Sequence, residues 1–449
     1  MVEHRRAKAG RHRDDAGRAA SIELVIDAIG ARGDGQAQHA GERYFVPFTV
    51  PGDRVRVRPM GRRGDGIAAV VETVLSPGPD RAAPPCPWFG RCGGCALQHL
   101  EDARYGDWKR DQVAIALARV GLAAVAVAPV TRTQAGTRRR ATLAAVRGGD
   151  DVSLGFNERL SHRLVDLDRC PVLDPAIVGL LPALRAVLRQ VLAPRRQVDI
   201  TVTLLDTGLD LVLTGGLADH VGSGDGGGPG LAAREALADF ANAADLVRLS
   251  WRRGITAAIE PLAHRRPALV RFGEVLVSPP PGGFLQASRA GEAALAAAVG
   301  AATAGAGRIA DLFAGCGSFS FRQAPGATVL AVEQDPAAVA AVNAAAPGAA
   351  GPRVTAQCRD LDTTPLSTAE LARFEAVILD PPRAGAAAQV AILAESAVPT
   401  IASVSCNPAT FARDARILAA SYELVSVQPV DQFVWSPHIE LVGVFRRRR

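Results

Sequence analysis

No run of apolar residues in this 449-residue chain reaches membrane-spanning length; the best one, from Ala114 to Val130, is broken by Arg119. A transmembrane helix is therefore not expected. The opening residues, MVEHRRAKAGRHRDD, are charged and lack the apolar stretch of a secretion leader, so the expected location is cytoplasmic, with no membrane partner. Glycine and proline are frequent, 45 and 30 residues, but follow no period, which excludes a fibrous chain. No fixed-period repeat is present, so a solenoid is excluded as well. Cysteine is scarce and odd in number, seven residues, which argues against a disulfide framework and leaves metal binding or catalysis as their use.

What is present fits a large globular protein. Hydrophobic residues make up 48% of the chain, enough to exclude global disorder, and the length calls for two or three domains. The net charge of +6 and a pI near 9.2 suit a polyanionic partner, although the positive charge is nearly all arginine, as a biased genome composition would also give. Residues 1–20 are basic and aperiodic and read as a flexible tail. Residues 21–76 carry short β-rich runs, SIELVIDAIG, RYFVPFTV, RVRVRPM and GIAAVVETVL, which a small closed barrel explains. Within them Val55 and Val57 alternate with Arg54, Arg56 and Arg58, giving an apolar and a basic face. Residues 77–280 mix cysteines, strands and helices, and HVGSGDGGGPG (220–230) reads as a flexible insertion rather than a phosphate loop. From 281 to the end, strands alternate with Ala-rich helices: GRIADLF, ATVLAVE, AVILD and PTIASVS read as buried parallel strands of a doubly wound α/β domain.

DLFAGCGSFS, residues 311–320, follows a strand and precedes an expected helix, with Gly315 and Gly317 allowing a sharp turn close to a ligand. The next strand ends at Glu333, 22 residues beyond Asp311, where a carboxylate can hold the hydroxyls of an adenosine ribose. Asp335 and Pro336 suit the cap and first position of the following helix. Asp360 and Asp380 follow the third and fourth strands. A dinucleotide pyrophosphate calls for donors and three glycines. An acid-rich site suits S-adenosylmethionine, whose sulfonium is a cation, and that cofactor is the one expected.

Asp380 opens DPPRAG at the ligand-binding end of its strand, and the next strand runs into SCNPATFARD with Cys406 at its tip. Asn407 and Pro408 suit a helix start, so Cys406 should sit just ahead of a positive dipole end that favours thiolate. A buried, inert cysteine is the competing reading. HIE, residues 438–440, supplies a carboxylate, Glu440, that could act as a base, with His438 orienting it or merely packing. Upstream, Cys86, Cys92 and Cys95 form C-x5-C-x2-C in a Pro- and Gly-rich loop, with Cys170 as a distant fourth. Four such thiolates can enclose zinc or an iron–sulfur cluster, and the spacing does not choose between them.

Together these motifs resemble the RNA uracil-5-methyltransferase family, from about Ser21 to the end. VPFTVPGDRVRV is similar to a TRAM domain, an RNA-binding, OB-like β-barrel, and PCPWFGRCGGCALQH with RRRATLAAV and LGFNERLSHRLVDLDRC is similar to the family's central α+β domain. The resemblance implies a multidomain α/β protein ending in a Rossmann-like methyltransferase domain, with a [4Fe-4S] cluster on Cys86, Cys92, Cys95 and Cys170. It implies cofactor contacts from Gln286 (in FLQAS), Phe313, Ser318, Glu333, Asp360 and Asp380. It further implies a nucleophile, Cys406, that adds to C6 of uracil and a base, Glu440, that removes the C5 proton. Where many members have FPxT, this chain has Phe433-Val434-Trp435-Ser436-Pro437, although the spacing to Glu440 is kept; the hold on the RNA is the feature this touches. The TRAM and cluster features resemble the branch acting on 23S rRNA. The alternatives are methylation of tRNA uridine 54, an inactive RNA-binding or assembly factor, and a small-molecule methyltransferase. No obligate protein partner is indicated.

Overall fold

The computed structural model describes residues 20–217, 228–349 and 353–449. The expected tail (1–20, all but its last residue) and most of the 220–230 insertion lie outside the described residues. No described helix is long and apolar enough to cross a membrane. The chain divides into two compact units, Met1–Gly90 with Cys95–Tyr105, and Arg91–Gly94 with Gly106–Arg449.

The first unit holds β1 (Ile22–Val25), β2 (Ala28–Ile29), β3 (Gly35–His39), β4 (Glu42–Val46), β5 (Arg54–Arg63) and β6 (Gly66–Ser76). They form one sheet in the order β1-β5-β6-β4-β3-β2. Its strands enclose a core of their own, built on Leu24, Ile26, Val46, Val55 and Val57. The alternation seen in the sequence sets this up: Val55 and Val57 point in while Arg54 and Arg56 point out. The outward arginines are not a bare basic face, because β1 and β6 place acids opposite them. Glu23 pairs with Arg54 and Arg56, and Glu72 with Arg58.

After Arg91–Gly94, the second unit resumes within α1 (Asp102–Ala118), followed by β7 (Thr131–Arg132), β8 (Arg140–Gly148), β9 (Asp151–Asn157), β10 (Leu164–Asp166), α2 (Pro175–Val191), β11 (Gln197–Leu205), β12 (Gly208–Gly215), α3 (Leu231–Ala243), β13 (Arg248–Arg252) and β14 (Glu260–His264). Seven of these strands make a mixed, largely antiparallel sheet in the order β10-β9-β8-β11-β12-β13-β14. A hairpin of β15 (Val270–Phe272) and β16 (Val275–Val277) leads to α4 (Arg289–Thr303), β17 (Arg308–Leu312), α5 (Ser320–Gln323), β18 (Thr328–Glu333), α6 (Pro336–Ala345), β19 (Val354–Cys358), α7 (Thr368–Leu371), β20 (Ala376–Leu379), α8 (Ala387–Glu395), β21 (Thr400–Ser405), α9 (Pro408–Leu418), β22 (Tyr422–Asp431) and β23 (Glu440–Arg447).

The C-terminal strands form an eight-stranded sheet in the order β19-β18-β17-β20-β21-β23-β22-β7. β17 to β21 run parallel, in keeping with the continuous apolar sequences of β17, β18, β20 and β21, and β23 inserts antiparallel between β21 and β22. Strand order reverses between β17 and β20, which opens a crevice at their carboxyl ends. This sheet also recruits residues far upstream of position 281: β7 pairs parallel with β22, and Val113 and Leu117 of α1 are buried in the core of one face. The helix expected after the glycine turn is only four residues long, since Pro325 and Gly326 end it.

Candidate active site

The crevice contains a cavity of about 530 Å3. Its lining brings together Gln286, Phe313, Ser318, Glu333, Asp380, Cys406 and Glu440, residues spread over more than 150 positions of sequence. Asp360 is not on this lining; it follows β19, where its carboxylate accepts a hydrogen bond from the Asp362 amide at 2.9 Å and shapes its own turn.

Each group is placed by the strand end that precedes it. Beyond β17 the backbone turns through Phe313 at φ +62°, Gly315 at +54° and Gly317 at +83°. A Cβ on Gly317 would meet the Phe321 ring at 2.9 Å, so both conformation and space require glycine there. Glu333 ends β18 and braces this turn, accepting hydrogen bonds from the Gly315 and Asp335 amides at 2.9 Å each. Asp335 caps α6 through the Ala337 amide. Cys406 lies between β21 and Asn407, whose side chain caps α9. Glu440 opens β23 and is 4% exposed.

Acid dominates the electrostatics. The lining includes the carboxyl residues Glu333, Asp335, Asp380 and Glu440 and a single cation, Arg383. Burial pushes Glu440 up to about 7, against a hydrogen bond donated by Gln432 that holds it down. Asp380 rises well above the ordinary carboxylate range through burial and the neighbouring Glu440 and Asp311. Asp311, behind the glycine turn, is pushed to about 7 by burial although Ser320 donates a hydrogen bond to it at 2.6 Å. Its other oxygen, Oδ1, is buried with no partner among the described residues. An acid-rich cavity with apolar walls at Phe272, Phe313 and Ala338 matches a ligand that joins a flat ring to a cation.

These carboxyls overturn the expectation that the helix dipole leaves Cys406 as a ready thiolate. Burial, Glu440 and Asp380 push the thiol up to about 11, while Arg383 pulls it only partly back. Desolvation and two adjacent carboxyls oppose the help that a position just ahead of α9 would give the thiolate.

Several functional neighbours were not marked by any motif. Gln432 donates to Gln286 Oε1 at 2.6 Å and to Glu440 Oε1 at 3.3 Å. Lys109, fully buried on α1, pairs with Asp431 at 2.9 Å and donates to the Phe433 and His438 carbonyls. It is the single lysine among the described residues, a composition signal that could have drawn attention to it. Buried Glu292 bridges Arg139 and Arg322, which in turn donate to the Gln286 and Ser318 carbonyls at 3.0 and 3.1 Å. That bridge ties the two loops flanking the cavity to α4. At the exposed end of the lining, Arg383 approaches His438 Nδ1 at 3.2 Å, and Arg138 lies 5.6 Å above the Phe433 ring.

Cys86, Cys92, Cys95 and Cys170 are each half-buried. Cys92 forms an isolated bridge with Glu158, and the Gly94 amide donates to its Sγ at 3.5 Å. Among the described residues no group of three or more His, Cys, Asp or Glu side chains is placed to hold a metal ion. The four-cysteine site therefore rests on spacing and donor type rather than on assembled geometry.

Comparison with known proteins agrees with this architecture. Residues 359–449 match the tRNA (Uracil-5-)-methyltransferase family model. An RNA methyltransferase of Caulobacter vibrioides is 44% identical over 431 residues, covering 95% of this chain and all of that one. A 23S rRNA (uracil(1939)-C(5))-methyltransferase of Halomonas elongata is 36% identical over 450 residues, covering 95% of this chain and 89% of that one. The solved tRNA (uracil-54, C5)-methyltransferase of Pyrococcus abyssi, in complex with S-adenosyl-L-homocysteine, superposes with a TM-score of 0.73 over 94% of this chain and 99% of that one. At 23% identity that likeness speaks for the fold. The chain thus belongs to the RNA uracil-5-methyltransferase family and is an S-adenosylmethionine-dependent RNA (uracil-5-)-methyltransferase.

Proposed function

We propose that the chain methylates C5 of a uridine in 23S rRNA by covalent catalysis, with Cys406 as nucleophile and Glu440 as base. The carrying observation is that a thiol and a buried carboxyl with opposite tasks line one cavity, beside Asp380 and Gln286. Uracil C5 is too weak a nucleophile to take a methyl group unaided. The Cys406 sulfur forms a bond to C6, and the C5–C6 π pair moves to give an enolate whose C5 can take the methyl group. Glu440 then accepts the C5 proton. The C–H pair restores the double bond, and the S–C6 bond breaks to release Cys406 as thiolate.

Gln286, Phe313, Ser318, Glu333 and Asp380 hold the cofactor in this reading, with Asp360, off the cavity lining, as a further contact. When bound, S-adenosylmethionine supplies the transferable methyl and a positive charge. The acid-rich lining, with Asp311 Oδ1 unpartnered behind it, fits such a cation. The same charge beside Asp380 and Glu440 would ease ionisation of Cys406, so the cofactor-free enzyme rests with its nucleophile protonated.

The N-terminal sheet is assigned as the RNA-binding TRAM-like barrel, and 23S rRNA is favoured over tRNA by the Halomonas relative, which matches along almost the whole chain. Such a substrate sets the reaction in the cytoplasm. Cys86, Cys92, Cys95 and Cys170 are assigned as ligands of a [4Fe-4S] cluster, supported by their C-x5-C-x2-C spacing and by an amide directed at Cys92 sulfur. Anaerobically purified protein should contain iron and labile sulfide, and a Cys92→Ser, Cys95→Ser variant should lose both; stoichiometric zinc instead would overturn this assignment.

The mechanism is tested with 23S rRNA transcripts carrying 5-fluorouridine. Glu440 then finds no proton at C5 to remove, so a denaturant-resistant enzyme–RNA adduct should build up, and Cys406→Ala should form none while still binding S-adenosylhomocysteine. Failure of the wild-type enzyme to crosslink would remove Cys406 as nucleophile.

A further inference from the structure

Gln432 stands just beyond β22 and is 3% exposed, in a segment no motif explains. Its backbone is fixed from the residue before it. Asp431 receives Lys109 Nζ at 2.9 Å and the Phe433 amide at 3.1 Å on one side-chain oxygen, and its carbonyl receives the Thr133 amide at 3.0 Å. Its side chain is fixed by α4. The Ser288 amide donates to Gln432 Oε1 at 3.4 Å, and a Cβ on Gly291 would lie 2.6 Å from Gln432 Cβ and 2.9 Å from Oε1. With the oxygen turned to a donor, both protons on Nε2 find acceptors, Gln286 Oε1 at 2.6 Å and Glu440 Oε1 at 3.3 Å. Gln286 Nε2 in turn donates to Asp380 Oδ2 at 3.4 Å. Two carboxyls are thus linked through two neutral amides.

Resting on the covalent reading above, we propose that Gln432 is a positioning residue for the base: its side-chain amide aims Glu440 at the C5 proton and keys it to the Gln286 loop of the cofactor site. This hydrogen bond is the one side-chain bond that Glu440 makes among the described residues. A neutral donor suits the task. A lysine or arginine here would fix the carboxylate as an ion and weaken it as a base, whereas no donor would leave a buried carboxyl free to rotate and to stay protonated. The step that depends on Gln432 is therefore the last one. The C5 proton goes to Glu440, the double bond re-forms and the sulfur of Cys406 departs; formation of the S–C6 bond and transfer of the methyl do not use Glu440 and meet Gln432 only through Gln286.

The experiment follows both steps in single turnovers with unmodified 23S rRNA transcript and labelled S-adenosylmethionine, using the full chain. Two variants report: Gln432→Met, which keeps length and loses the donor, and Gly291→Ala, which displaces the amide without altering it. S-adenosylhomocysteine binding checks that each is folded. In both, product release relative to label incorporation should slow about 10- to 100-fold, the effect of one lost hydrogen bond to a charged group. A methylated, denaturant-resistant enzyme–RNA adduct should therefore accumulate on ordinary uridine. Wild-type release in either folded variant would overturn the proposal, as would label incorporation and release falling in equal proportion. Wild-type enzyme with 5-fluorouridine RNA separates the two levels. If it crosslinks and Gln432→Met accumulates nothing, only the role of Gln432 falls; if it does not crosslink, both readings fall.

Discussion

At the scale of the residue, Glu440 is the group whose titration the reaction should report. Burial holds its carboxyl at about 7, and a protonated carboxyl cannot accept the C5 proton. Asp380 and Cys406 share its cavity, Gln432 donates to it, the Lys109–Asp431 pair adjoins Gln432, and Arg383 meets His438 two residues before it. Cys406 is pushed up to about 11, Asp380 is raised well above the ordinary carboxylate range by burial and by Glu440, and His438 is pushed down to about 4 by burial and by Arg383, Lys109 and Arg138. The Glu440-dependent part of tritium release from C5-labelled uridine in single turnovers should rise with pH through about 7. Glu440→Gln should abolish that dependence and slow release roughly 10²- to 10⁴-fold. A profile flat through neutrality would assign the proton to another acceptor. The place of Cys406 could be read in the sequence because everything that sets it is local: a strand, then Asn407 and Pro408 to start a helix. Its protonation could not, because Asp380 and Glu440 reach it only through the fold. Gln432 was invisible for the same reason, its partner Gln286 being 146 positions away.

Elements show the same division between local and distant causes. β17, β18, β20 and β21 were legible as short apolar runs bounded by Gly, Pro and Asp, since a strand covered on both faces needs no polar alternation. The alternation in β5 was equally plain, because Val55 and Val57 face a core while their neighbours face solvent. What the pattern could not supply was the partner. The acids on β1 and β6 that neutralise the β5 arginines lie across strand pairs, so the face looked more basic than it is. β7 has two residues, too few for any period, and is a strand only because β22 offers its edge. α1 carries GDWKRDQV through its middle, where Lys109 occupies a buried position that a hydrophobic pattern would give to an apolar residue. That exception to the pattern is how the helix anchors Asp431, and so the segment from which Gln432 projects.

For the whole molecule, placing Asp380 and Glu440 on one cavity and burying Asp311 behind it has a thermodynamic consequence. Asp311 and Glu440 sit at about 7 and Asp380 well above its ordinary range, against about 4 for such groups in an unfolded chain. The folded state therefore binds protons that the unfolded state has already released. That contribution to stability is complete below the unfolded values and is lost as pH rises through the folded ones. His99 and His438, both pushed down to about 4, act in the opposite sense, but only up to the unfolded histidine value of about 6.5. Above that value the carboxyls govern, so the melting temperature of the cofactor-free enzyme should fall between about pH 6.5 and 8. Asp380→Asn should flatten the fall by removing one buried charge. S-adenosylmethionine, a cation, should stabilise the enzyme more at the upper end of this window than at the lower, because the sulfonium meets carboxylates there rather than neutral acids. Neutral S-adenosylhomocysteine should show a smaller difference between the two. A melting temperature that holds level or climbs across the window, or equal gains from the two ligands at both ends, would mean that these carboxyls are already neutralised within the protein and that the cavity was not built around a missing positive charge.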